Sequence, residues 1–194
     1  MRELALHVMD IVQNSLSAGA DKVLLELEED LPRELLTIRI SDNGKGMTGE
    51  QAQQAVHPFY TTGPKKAGLG LPLFREAARR TGGELFVGSE PQKGTSVTAV
   101  FHTASIDMAP LGDINGTVML LLVCNPGIEL VFSRKRRTAA GKETAFCLCE
   151  KTLPGLSRKT PAAAPEIKKW LEKQTKTLCA EREKPVLEKG LEYF

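Results

Sequence analysis

The sequence predicts an α+β protein in which a layer of helices covers a mostly antiparallel sheet. Three observations carry this. Segments alternating at period two, such as "KVLLELEE" (22–29) and "TSVTAVFH" (95–102), are interleaved with segments of helical period, such as 3–17 and 71–83. The strand-like runs come in pairs joined by short turns, the pattern of hairpins. The composition, 41% hydrophobic and 26% charged over 194 residues, is that of a globular chain able to bury a core.

Each element follows from its residues. In 3–17, Leu4, Val8 and Ile11 recur at helical spacing, Met9, Val12 and Leu16 widen the stripe, and Gly19 ends the helix. "KVLLELEE" pairs with "LLTIRI" (35–40) across the turn "LPRE". "TGEQAQQAV" (48–56) reads as a helix with Thr48 as N-cap. "HPFYTTGPKKAGLG" (57–70) is too long and too rich in Gly and Pro for a plain connector, and reads as a functional loop. "LPLFREAARRTGG" (71–83) is a helix ended by its glycines, and "ELFVGSE" (84–90) and "TSVTAVFH" form a hairpin over "PQKG". The composition shifts near residue 105, so we divide the chain into a domain at 1–105 and an extension at 106–194. The extension holds a helix in "DMAPLGDINGTVMLLLVCNP", a hairpin of "IELVFSRKRR" and "KETAFCLCEK" around "TAAG", a Pro- and Lys-rich link, and the amphipathic helix "EIKKWLEKQTKTLCAERE".

Several classes are disfavoured. No apolar run is long enough to span a bilayer, since "TVMLLLVC" stops at Asn125-Pro126. The start carries Glu3 and Asp10 and does not read as a signal peptide, so a cytoplasmic protein is expected. Cys124, Cys147, Cys149 and Cys179 lack metal-ligand spacing and read as small core residues in a reducing compartment. The net charge of +2 gives no reason to expect a nucleic-acid partner, and "RKRR" (134–137) reads as a solvated hairpin end. Trp170 reads as a packing residue.

Four stretches could do chemistry. His7, Asp10, Asn14 and Ser17 share one helix face by spacing. Asn14 offers an amide oxygen suited to Mg²⁺, and Asp10, one turn earlier, can orient or deprotonate a water or hydroxyl. In "SDNGKGM" (41–47), Asp42 ends a strand as an acceptor able to take the exocyclic amine of an adenine, while Gly44 and Gly46 allow close backbone approach. A type I′ turn alone also explains "DNG". "GLGLP" (68–72) leads into a helix and offers backbone N–H groups to phosphates. Gly94-Thr95 opens a strand, where Thr95 could approach the same ligand.

Together these stretches resemble the ATP-binding domain shared by gyrase, heat-shock chaperones, histidine kinases and mismatch-repair MutL, the GHKL superfamily. "DIVQNSLSAGA" (10–20) resembles the N box, "DNGKGM" the G1 box, "PFYTTGPKKAGLGLPL" (58–73) the F and G2 boxes with the ATP lid, and "GTSVTAVF" the last G box. "QNSLSAGA" is closer to MutL, and the lid with its helix is closer to a sensor histidine kinase. The resemblance implies a two-layer α/β sandwich (the Bergerat fold) binding ATP and Mg²⁺. It implies adenine on Asp42, with Gly44, Gly46 and Met47 around it, and Mg²⁺ on Asn14. It implies phosphates covered by the lid and its helix, with Thr61, Thr62, Lys65, Lys66, Gly68, Leu69, Gly70 and Leu71, Thr95 near the nucleotide, and Asp10 as the catalytic base. Three departures matter. Asp10 stands where relatives commonly carry Glu or Asn. Gly63 replaces a common lid lysine, leaving Lys65 or Lys66 to reach the phosphates. The chain starts at the N box, and His7, His57 and His102 are poorly placed as phospho-acceptors, so a self-contained sensor kinase is not expected. The expected activity is ATP hydrolysis or γ-phosphoryl transfer to a partner protein. The alternatives are an ATP-gated interaction module with little turnover and a MutL-like DNA-linked ATPase. Membrane partners are not expected, and the sequence leaves a dimer open.

Overall fold

The structure, a computed structural model, describes residues 3–58, 69–149, 152 and 161–180. Helix α1 (Leu4–Ser17) buries Leu4, Val8, Ile11 and Val12, as its periodicity requires. Its first turn has no side-chain cap. The N–H groups of Leu4 and Ala5 instead donate to the carbonyls of Pro110 and Leu111, each at 2.9 Å. The segment after residue 105 thus supplies acceptors that a helix N-terminus otherwise lacks.

Strands β1 (Lys22–Asp30) and β2 (Leu35–Asp42) form the expected hairpin, with Val23 opposite Asp42. Val23, Leu25 and Leu27 point inward beside Leu36, Ile38 and Ile40. Helix α2 (Gly49–Ala55) opens with a capping box, in which the Thr48 hydroxyl accepts from the Gln51 N–H and the Gln51 side chain accepts from the Thr48 N–H. Helix α3 (Gly70–Arg80) is followed by β3 (Glu84–Glu90) and β4 (Gly94–His102), an antiparallel pair whose second strand also pairs with β2.

Helix α4 (Ile114–Cys124) begins later than the apolar content of 106–113 suggests, because Asp113 caps it by accepting from Gly116 N–H at 2.8 Å. It is apolar on every side, as befits a helix flanked by others. β5 (Glu129–Arg137) and β6 (Glu143–Leu148) make the predicted hairpin, and α5 (Ala164–Ala180) follows a 3₁₀ turn at Pro161–Ala163. The six strands form one sheet in the order β3-β4-β2-β1-β5-β6. Every adjacent pair is antiparallel except β1–β5. That parallel pairing joins residues 129–137 to the sheet built by residues 22–102.

Helices α3, α1, α4 and α5 lie side by side against the sheet, α1 between α3 and α4 and α4 against α5. Phe74, Phe101 and Phe132 are the largest buried side chains of this interface. The other sheet face carries ion pairs such as Arg39–Glu26 and Lys135–Glu143. Such exposed pairs contribute little stability, about 0–1 kcal/mol each.

Three local expectations give way. His7 is buried and stacks on Phe74 with ring centroids 5.4 Å apart, so it leaves the polar face of α1. Cys124 and Cys147 are exposed instead of lying in the core. Partial desolvation of its sulfur, and then the neighbouring Cys149 thiol, push the Cys147 thiol above its usual range. The basic run is not wholly a solvated end. The strand alternation set by Leu130 and Phe132 continues inward, so Arg134 and Arg136 are 6% and 3% exposed.

Candidate nucleotide site

The site is built where the C-terminal half of α1, the end of β2 and the start of β4 meet. Ser15, on the buried side of α1 and next to Asn14, donates its hydroxyl to Asp42 Oδ2 at 2.6 Å. Asp42 Oδ1 accepts from the N–H of Gly44 at 2.9 Å and of Thr95 at 3.2 Å. An ionised carboxylate has about four acceptor sites, so these three donors leave room for another. Asp42 therefore holds three elements together and keeps acceptor capacity for a ligand.

The turn after Asp42 needs its glycines. Gly44 lies against Ala18, 3.1 Å from its Cβ when a methyl is placed there. Gly46 has φ +63°, and a Cβ there would overlap the Glu90 carbonyl. Gly94 has φ +101°, and a Cβ there would overlap the Asp42 carbonyl. These approaches press β2, β3 and β4 together behind the acid. Asn43 anchors the turn from outside, accepting from the N–H groups of Asp21 and Lys22 and donating to the Asp21 carboxylate. Met47 N–H donates to Ser89 Oγ, which also donates to the Gly94 carbonyl and shares a hydrogen bond with Thr95 Oγ1. The Thr95 hydroxyl is thus engaged with Ser89, and its backbone N–H serves Asp42.

Asp10 and Asn14 are exposed, one turn apart on α1. The start of α3 lies against them: a Cβ on Gly70 would sit 3.5 Å from Asn14 Nδ2 and 3.5 Å from Asp10 Cβ. Leu69, the N-cap residue of α3, provides no side-chain cap. The first turn of α3, without a side-chain cap and with the positive end of the helix dipole, thus begins beside Asp10 and Asn14.

The structure therefore brings together Asp10, Asn14, Asp42, Gly44, Gly46, Met47, Leu69, Gly70, Leu71 and Thr95. Thr61, Thr62, Lys65, Lys66 and Gly68 lie outside the described residues. Sequence reasoning missed Ser15 and Ser89, the two hydroxyls that fix Asp42 and Thr95. A serine inside an N box carries no signal of a bond reaching 27 residues along the chain. Two cavities lined by described residues lie elsewhere, one of about 360 Å³ between His7, Leu73, Ala77 and Ala109, the other between β6 and α5.

A sandwich of this topology, with a strand-end acid tied to an N-box helix, defines a class of nucleotide-binding protein. The chain belongs to the family of histidine kinase-, DNA gyrase B- and HSP90-like ATPases, whose model matches residues 2–105. Membership implies ATP binding. Sporulation kinase C of Bacillus subtilis (strain 168) is 31% identical over 97 residues, which cover 50% of this chain and 23% of that protein. DNA mismatch repair protein MutL of Thermotoga maritima is 42% identical over 53 residues, covering 27% of this chain and 10% of that protein. The chain thus spans about a quarter or less of these relatives. A crystal structure of the N-terminal domain of a DNA repair protein matches the fold with a TM-score of 0.52 at 17% identity, covering 75% of this chain and 52% of that one. Among the described residues no helix is long and apolar enough to cross a membrane.

Proposed function

We propose that the protein binds Mg-ATP between α1, the turn after β2 and the start of α3, and catalyses ATP hydrolysis or transfer of the γ-phosphoryl group to a partner protein. One observation carries the reading. Ser15 ties α1 to the acid that would read the purine, and the same helix sets Asp10 and Asn14 beside the uncapped start of α3. The ends of a nucleotide thus have their receptors on one continuous strip.

Each residue has a role in keeping with its chemistry. Asp42 accepts from the adenine amine through its remaining lone-pair capacity. Gly44 and Gly46 let the base lie against the backbone. The N–H groups of Leu69, Gly70 and Leu71 hold phosphate oxygens, and Thr61, Thr62, Lys65, Lys66 and Gly68 complete the phosphate grip. Asn14 is exposed and offers an amide oxygen that fits Mg²⁺, with the Asp10 carboxylate one helical turn away. An ion held mostly by phosphates and one amide suits that arrangement. Bound there, Mg²⁺ supplies neutralisation of charge on the phosphates. Asp10 orients the attacking water or hydroxyl and takes its proton, since phosphoryl transfer needs mainly positioning and charge stabilisation.

The test is ATP turnover by purified protein against Asp10→Asn, with ATP affinity measured in both. Turnover lost in the variant while binding persists is the expected result. Binding without turnover in the wild-type protein, with candidate partners present, would favour an ATP-gated interaction module and remove the enzymatic reading.

A further inference from the structure

Ser89 stands opposite Thr95 in the β3–β4 register, and Thr95 stands opposite Asp42 in the β2–β4 register. Asp42 is in turn opposite Val23, which is buried against the helices. Side chains at paired positions share a sheet face. Asp42, Thr95 and Ser89 therefore form one row facing the helix layer, and Ser15 of α1 reaches the row through its bond to Asp42.

The hydrogens along this row can be counted. Ser89 Oγ accepts from the Met47 N–H at 2.9 Å, a contact in which only the amide can donate. It lies 2.9 Å from the Gly94 carbonyl, which can only accept, so the Ser89 hydrogen goes there. Its contact with Thr95 Oγ1, also 2.9 Å, could run either way taken alone. A hydroxyl has one hydrogen and two lone pairs, so a single assignment satisfies all three contacts: Thr95 donates to Ser89. The Thr95 oxygen then has only lone pairs left for anything else it meets. Ser15 gives its hydrogen to Asp42 Oδ2 at 2.6 Å, and a carboxylate only accepts. The row thus offers two acceptors, Asp42 and Thr95, and no spare hydroxyl hydrogen.

We infer that Ser89 is a positioning residue that sets base selectivity. By taking the Thr95 hydrogen it makes the row an acceptor-only floor, which takes a purine through an exocyclic amine and disfavours one that carries a carbonyl oxygen in that place. The inference rests on the reading of this site as nucleotide-binding. An exocyclic amine carries two N–H groups, one for each acceptor. A carbonyl oxygen there sets lone pair against lone pair and leaves both acceptors without a donor, which costs more than the mere absence of a contact. Ser89 acts through Thr95 and needs no contact with the base.

The experiment measures the affinity of the full chain for ATP and for inosine triphosphate, which carries an oxygen in place of the adenine amine, by calorimetric titration with Mg²⁺ present. The wild-type protein is expected to prefer ATP by roughly tenfold or more. Ser89→Ala frees the Thr95 hydrogen to donate to that oxygen, so the preference should shrink severalfold. Ser89→Thr keeps a hydroxyl and should retain it. A merely structural role would weaken both nucleotides alike and leave their ratio unchanged. Thr95→Val removes the second acceptor and should also shrink the ratio, and it carries the test if Ser89→Ala fails to fold. Equal affinities in the wild-type protein, or a ratio unmoved by Ser89→Ala, overturn this inference and leave the nucleotide site standing. No ATP binding by the wild-type protein overturns both.

Discussion

Asp42 does two jobs that different substitutions separate. Removing the carboxylate strands the donors of Ser15, Gly44 and Thr95, so Asp42→Ala should lose both ATP binding and stability. Asp42→Asn keeps one oxygen for the two N–H groups and puts an amine where the purine amine must be accepted. It should melt close to wild type yet bind ATP about 10- to 150-fold more weakly, the equivalent of about 1.5–3 kcal/mol for a charged hydrogen bond. Calorimetric titration beside thermal melting checks this; unchanged affinity would place adenine elsewhere. Gly46 makes a second residue-scale prediction. Gly46→Ala forces a methyl into the Glu90 carbonyl at φ +63° and should cost about 1–3 kcal/mol by denaturant melting. Gly49, where a Cβ meets nothing within 4 Å, is the control, and Gly49→Ala should be close to neutral.

Elements were legible where the local pattern and the tertiary demand agreed. The β1–β2 and β3–β4 hairpins follow from alternation and turn residues, and α2 from its Thr48 cap. Agreement failed where the partner lay far along the chain. The stripe of α1 put His7 with the polar residues, but Phe74 of α3 covers it. "RKRR" reads as charge, yet two of its four arginine and lysine side chains keep step with Leu130 and Phe132 and turn inward. The junction of α3 and β3 carries its own pH dependence. Arg79, then the Leu85 N–H and Arg75, hold the Glu84 carboxyl down to about 2 from 4.5. Its folded value is depressed, so its contribution is complete above pH 4.5 and is lost as pH falls toward 2. Urea melts across that window should show a slope that Glu84→Gln flattens, and addition of salt should shrink it because the group is exposed.

For the whole molecule, the candidate site was more legible than the sheet that supports it. The N box, the turn after β2 and the glycines before α3 each announced a local chemistry, and the structure sets Asp10, Asn14, Asp42 and Gly70 within one region. Nothing local signalled that β5 would run parallel beside β1, because that register depends on side chains about a hundred residues apart. The same pairing places Arg134 of β5 3.3 Å from Glu29 of β1, a largely buried ion pair. The central claim is that one nucleotide spans Asp42 and Asn14. Backbone amide shifts of the full chain, recorded through an Mg-ATP titration, test it most directly. The account predicts saturable shifts at Asn14, Asp42, Gly44, Gly46, Gly70 and Thr95; ATP-dependent shifts that leave all of these unmoved would contradict it.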